Sequence, residues 1–162
     1  MYHHKLKKMT TVKEFIGDLT AKTGTDRSAL MPILQAVKEN YNYLPEEAMI
    51  EIARKLDLSP AQVFGTASFY SFLDTSKRGK YVIRVCKSII AEMKGKKEIV
   101  KALEKHLKIK MGETTTDNMF TLLETNDLGW SDQEPSMLIN DTPFTNLTAE
   151  KVIEIINNYK TK

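Results

Sequence analysis

The sequence predicts a mixed α/β chain, with a helical bundle over residues 1–76 followed by a small α/β sandwich over 77–162. Three observations carry this. Residues 12–72 repeat apolar side chains at helical spacing, with capping residues before each run. A polar connector, Asp74 to Lys80, then breaks the pattern. Beyond it come short β-branched and aromatic runs, Tyr81-Val82-Ile83-Arg84-Val85-Cys86 first among them.

Composition narrows the function classes. The 162 residues carry a net charge of +3, 41% hydrophobic and 28% charged residues, which suits a soluble globular protein with a real core. No apolar run approaches the ~18 residues needed to span a bilayer. Met1 to Met9 holds Lys5, Lys7 and Lys8 with no apolar stretch behind them, so no secretory signal is expected. One cysteine gives no disulfide framework and fits a reducing, cytoplasmic setting. The lysines alternate with acids along helical stretches, and no basic block with interleaved aromatics suggests nucleic-acid binding.

In order, Thr10 or Thr11 caps a helix over Val12, Phe15, Ile16 and Leu19 that stops at Gly24. Asp26 caps a second, with Pro32 in its early turns and Ile33, Leu34, Val37 and Tyr41 on its apolar face. Pro45-Glu46-Glu47 opens a third over Ala48, Ile52, Ala53 and Leu56. Ser59-Pro60 opens a fourth, over Val63 to Phe72. In the second half, the strand Tyr81–Cys86 leads to a helix from about Ile90 to Leu107. A strand over Met119–Glu124 follows, and the helix between the two strands makes them parallel. A hairpin turns at Asn140-Asp141-Thr142, and Thr148 begins the last helix, over Val152, Ile155, Ile156 and Tyr159. The order β-α-β-β-β-α is that of a thioredoxin-like sandwich.

The chemistry-bearing residues are few. Cys86 ends a buried strand just before a helix, a position suited to redox or metal chemistry, although free cysteine is commonly a buried, inert hydrophobe. With no Cys-x-x-Cys pair, thiol–disulfide exchange is not expected. His3, His4 and His106 read as surface histidines, and Asp127, Asp132 and Glu134 as a solvated acidic loop without a nucleophile or phosphate loop beside it. Phe64, Phe69, Tyr70 and Phe72 are too many for one core stripe, which suggests a face for a partner protein.

Several strings in this order resemble one family. They are Leu30-Met31-Pro32-Ile33-Leu34-Gln35-Ala36-Val37, Tyr43-Leu44-Pro45-Glu46-Glu47-Ala48, Ser59-Pro60-Ala61-Gln62-Val63-Phe64-Gly65-Thr66-Ala67-Ser68-Phe69-Tyr70, Gly79 to Cys86, Gly112-Glu113-Thr114-Thr115 and Leu128-Gly129. The chain resembles the 24-kDa-type, thioredoxin-like [2Fe-2S] ferredoxin subunit of NADH dehydrogenase modules. Such subunits occur in complex I, NAD-linked hydrogenases, formate dehydrogenases and electron-bifurcating enzymes. The resemblance implies electron transport beside a flavin- and NAD-binding (51-kDa-type) subunit, with FMN and further iron-sulfur clusters in the partner subunits.

It also implies four cluster cysteines, at positions that here hold Cys86, Ala91, Asp127 and Ser131. A [2Fe-2S] cluster takes four ligand bonds, normally thiolates, and oxygen donors serve it poorly. The expectation is therefore an accessory subunit with no cluster of its own, docked through Phe64, Phe69, Tyr70 and Phe72. The alternative is an electron carrier with unusual ligation, and a third reading is a free-standing interaction module. Ile89, Ile90 and Trp130 are the expected fillers of the vacated space.

Overall fold

In the computed structural model, which describes residues 11–161, the first helix starts directly after Thr11. The Thr11 side chain accepts from Glu14 N–H and the Glu14 carboxylate accepts from Thr11 N–H, which satisfies two otherwise unpaired helix-start donors. The expectations for Met1–Met9, Thr10, His3 and His4 lie outside the described residues. The chain separates into two compact units that divide between Lys77 and Arg78.

The first unit is helical. It comprises α1 (Val12–Thr23), a 3-10 turn (Arg27–Ala29), α2 (Leu30–Tyr41), α3 (Glu46–Lys55) and α4 (Pro60–Phe69). Helix α3 packs against both α1 and α4. Ile16, Ile33, Leu34, Val37, Leu44, Ile52 and Val63 are fully buried between the helices. Two boundaries differ from the expectation. Asp26 makes no side-chain cap, and Ala29 N–H bonds to its carbonyl at 2.9 Å, so a tight turn precedes α2. Helix α2 therefore starts at Leu30, which leaves Pro32 in its first turn, where a missing N–H costs no intrahelical bond. Helix α4, capped by Ser59 with Gln62, stops at Phe69 rather than at Phe72. Tyr70 is extended, and Leu73 N–H closes a turn on its carbonyl at 2.9 Å. That turn returns the apolar Leu73 to the helical core, where it is buried.

The second unit is a four-stranded sheet with helices. Its elements are β1 (Tyr81–Cys86), α5 (Ile89–Met93), α6 (Lys96–Leu107), β2 (Phe120–Thr125), a 3-10 turn (Ser131–Gln133), β3 (Met137–Ile139), β4 (Thr142–Phe144) and α7 (Ala149–Lys160). The sheet order is β2-β1-β3-β4. β1 and β2 are parallel, as the intervening helices require, and the other pairs are antiparallel. Strand alternation sends Tyr81, Ile83 and Val85 into a core with Ile99 and Leu103 of α6 and Val152 and Ile156 of α7. Val82, Arg84 and Cys86 leave the opposite face, yet all six residues of β1 are buried. β2 begins one residue later than expected, because Met119 N–H is taken by the Asp117 side chain at 2.9 Å.

The helix expected over Ile90–Leu107 is two helices. Gly95, at φ 95°, takes a left-handed conformation that breaks the run after Lys94 and re-aims the chain as α6. At the break the Lys96 side chain, 4% exposed, sits between Glu124 (2.6 Å) and Glu92 (2.9 Å). One ammonium thus ties the start of α6 to the end of β2 and to α5. Lys96 holds the Glu124 carboxyl below its usual range, against the opposing effect of burial. Burial pushes the Lys96 ammonium down, but its bonds to Glu124 and Glu92 outweigh this and leave it raised.

The stabilisation from Glu124 is present above about pH 4.3, the unfolded value, and is lost as pH falls through the lower folded value. That from Lys96 is present below about pH 10.4 and is lost as pH rises through its raised folded value. Glu124→Gln should cost about 1–2 kcal/mol at pH 7, since Glu124 is partly solvated and Glu92 still faces the lysine. Denaturant midpoints should show the gap to the parent closing as the pH drops below about 4.

Candidate degenerate cluster site

The parallel pairing of β1 with β2 sets Cys86 level with Thr125, so the loops that leave these two strands start side by side. Lys87 N–H donates to Thr125 C=O at 2.7 Å, and Cys86 N–H donates to Ser136 C=O at 3.0 Å. Cys86 is thereby held between the starts of the two loops and the approach to β3, with no exposed surface.

The first loop is short because Ser88 caps α5 at once. Ser88 Oγ accepts from Ala91 N–H at 3.0 Å. This sets the phase of the helix. Ala91 turns inward and is fully buried, while Ile89 is 81% and Ile90 40% exposed. The expectation that Ile89 and Ile90 fill the interior is corrected here, because the cap rotates both outward and only a methyl group faces in. Trp130 is half-buried.

The second loop is shaped by Asp127. Its Oδ1 accepts from Gly129 N–H at 2.9 Å, and its Oδ2 accepts from Ser131 Oγ at 3.4 Å. Gly129 takes φ 85°, a conformation that suits glycine. Lys94 Nζ donates to Asp132 C=O at 2.9 Å and fastens this loop to the end of α5.

Glu134 corrects the expectation of a solvated acidic loop. Its side chain is inside, at 3% residue exposure. Oε2 accepts from Ser136 N–H at 2.6 Å and Oε1 from Ser88 Oγ at 3.4 Å. The donor atoms of Cys86, Asp127 and Glu134 all lie within 4.8 Å of one another. The structure thus brings Cys86 and Asp127 together, as the resemblance implied, and adds Glu134. A loop glutamate carries no periodic signal of burial. Only its place before Pro135-Ser136, where a carboxylate can reach the backbone N–H two residues on, could have pointed to it.

The other candidates lie elsewhere. His106 is a helix-surface residue, with Nε2 3.0 Å from Asn157 Oδ1 and 3.4 Å from Lys160 Nζ. Phe64, Phe69, Tyr70 and Phe72 are all exposed, Phe69 to 79%, while the same α4 buries only Val63 and Ala67. Phe69 and Tyr70 meet edge to face at 5.1 Å.

A four-stranded sheet with a parallel β1·β2 pair, and two loops converging on Cys86 at the strand ends, defines a thioredoxin-like scaffold. The chain belongs to the thioredoxin-like [2Fe-2S] ferredoxin family, whose model matches residues 16–160. It is 40% identical over 136 residues to the NAD-reducing hydrogenase HoxS subunit alpha of Cupriavidus necator, covering 84% of this chain and 23% of that one. It is 38% identical over 134 residues to an NADH-quinone oxidoreductase subunit of Escherichia coli K12, covering 83% of this chain and 81% of that one. Its structure resembles that of an NAD+-reducing [NiFe]-hydrogenase in the H2-reduced state, with a TM-score of 0.71 and 26% identity, over 80% of this chain and 22% of that one. The chain therefore spans under a quarter of the length of the hydrogenase chains it matches, and most of the length of the quinone oxidoreductase subunit.

The residues present do not fit a [2Fe-2S] cluster. The chain has one cysteine, and the four positions that the resemblance implies offer one thiol, one methyl group and two oxygen donors, where four soft donors are needed. Two bonds that hold these loops, Ser88 Oγ to Ala91 N–H and Lys94 Nζ to Asp132 C=O, do not involve the Ala91, Asp127 or Ser131 side chains. Combining Ala91→Cys, Asp127→Cys and Ser131→Cys should therefore let the chain take up about two irons and two sulfides on reconstitution, with a reduced-state EPR signal. A triple variant that folds but binds neither would show that the loop path, and not only the side chains, has departed from the family's.

Proposed function

We propose that this protein is an accessory subunit of a cytoplasmic, NAD(P)H-linked flavin and iron-sulfur oxidoreductase. It docks on the flavin- and NAD-binding (51-kDa-type) subunit and holds no [2Fe-2S] cluster of its own. One observation carries the reading: the second ligand position is Ala91, turned inward, fully buried and without a donor atom. Relatives that share most of this chain are named as subunits of NAD-linked oxidoreductases, which supports the setting. The family fold supplies the docking scaffold, and flavin, nucleotide and any clusters belong to the partners.

Electron carriage by a cluster under unusual ligation would need a fourth donor beyond Cys86, Asp127 and Glu134, and two of those three are hard oxygens. Iron and acid-labile sulfide should both be near zero in the pure chain. About two of each per chain would overturn the cluster-free reading.

The exposed aromatics are the proposed docking face, since large rings gathered on one surface are typical binding anchors. Phe64→Ser with Phe69→Ser removes two of them without touching the core. Co-purification of the flavoprotein subunit with the double variant should fall at least about tenfold, while its thermal midpoint stays near the parent's. Undiminished co-purification would place the interface elsewhere.

A further inference from the structure

We propose that Cys86, Asp127 and Glu134 form a mononuclear site for a divalent first-row transition ion of the zinc type, with Ser136 Oγ beside them as a fourth donor. The inference rests on the reading that no [2Fe-2S] cluster occupies these loops, and it gives the space between them a different occupant.

The first observation is convergence. Three donors come from three separate segments: the end of β1, the loop after β2, and the approach to β3. They gather within 4.8 Å of one another. Donors on a four-coordinate zinc ion, with bonds of about 2.0–2.3 Å, stand roughly 3.3–3.8 Å apart. An adjustment of about 1 Å closes the set, and Asp127 is exposed and bonded only within its own loop, to Gly129 N–H and Ser131 Oγ, so the loop can carry it inward.

The second observation is independent of the first. Ser136 Oγ is buried without a hydrogen-bond partner, the one such side-chain atom among the described residues. Ser136 lies opposite Cys86: Val85 pairs with Met137, and Cys86 N–H bonds to Ser136 C=O. Residues facing each other across an antiparallel pair project from the same side of the sheet. The unpartnered hydroxyl therefore leaves the face that carries Cys86 Sγ. A buried hydroxyl lacking a partner is costly, and a cation beside the thiol satisfies it.

Charge points the same way. Neither Asp127 nor Glu134 has an ion-pair partner among the described residues. The Glu134 carboxylate is already oriented by Ser136 N–H and Ser88 Oγ, as metal-ligating carboxylates generally are, and each oxygen keeps a lone pair. One thiolate among oxygens selects against magnesium and calcium and in favour of zinc and its neighbours. The exposed Asp127 gives the ion a way in.

The test uses the full chain, stripped with chelator and titrated with cobalt(II) alone, then with zinc(II) in competition. Cobalt should bind one per chain with a thiolate-to-metal charge-transfer band, which zinc removes. Cys86→Ser should abolish that band. Asp127→Asn, a surface change that keeps the fold, should weaken binding more than about tenfold, as should Glu134→Gln. His106→Ala should change nothing. A folded chain that shows no thiolate band, or one whose band is indifferent to both carboxylate variants, overturns the proposal. Acid-labile sulfide separates the two readings. About two sulfides per purified chain sink the cluster-free assignment and this site with it. No sulfide and no cobalt band sink this site alone.

Discussion

The parallel ladder between β1 and β2 is the constraint from which the site follows. It sets Cys86 against Thr125, so both strands end at the same level and release their loops into the same space. The ladder in turn depends on the crossover that joins the strands. Gly95 breaks that crossover into α5 and α6, and Lys96 fixes the break to Glu124 at the end of β2. A strand slip of one residue would send Cys86 to the α6/α7 core and Val85 to the site, since successive side chains face opposite ways. The helical core on one side of the sheet therefore enforces the position of the thiol on the other.

Within that frame the two loops carry different kinds of information. The first is set by a cap. Ser88 fixes the phase of α5, and phase alone decides that Ala91 is inside and Ile89 outside. The second is set by side-chain oxygens: Asp127 holds Gly129, and Glu134 holds Ser136. Oxygen donors there do two jobs at once, shaping the backbone and facing Cys86. In a four-cysteine site the metal centre itself would help to hold both loops. Here the chain's own hydrogen bonds do so.

Much of this was legible in the sequence, and the failures share a cause. β1 was readable to the residue because six consecutive positions suited to a strand lie between the turn at Gly79-Lys80 and the polar Lys87-Ser88. The helix caps at Thr11, Ser59 and Thr148 were readable because each depends on a local hydrogen bond. The mistakes arose where tertiary packing decides. Periodicity ran α5 into α6, since one left-handed glycine does not disturb a count of apolar residues. Hydrophobicity placed Ile89 and Ile90 inside, although the cap turns them out. Charge placed Glu134 in solvent, although it bonds to Ser136 N–H and to Ser88, which is 46 residues away in sequence. The family resemblance implied four ligand positions, and Glu134 is not one of them.

Loss of cluster ligands has a structural consequence that depends on how the loops are held. A domain whose loops are ordered only by metal unfolds locally when the ligands go, because binding energy and folding energy are then the same quantity. This chain shows the opposite arrangement. Ser88 to Ala91, Lys94 to Asp132, Asp127 to Gly129 and Glu134 to Ser136 are bonds between protein groups, and none needs a cluster. Both loops are therefore held in place without a cluster. The exposed rings around α4, and the convergence of the buried Cys86 and Glu134 with the exposed Asp127, are features that packing alone does not require.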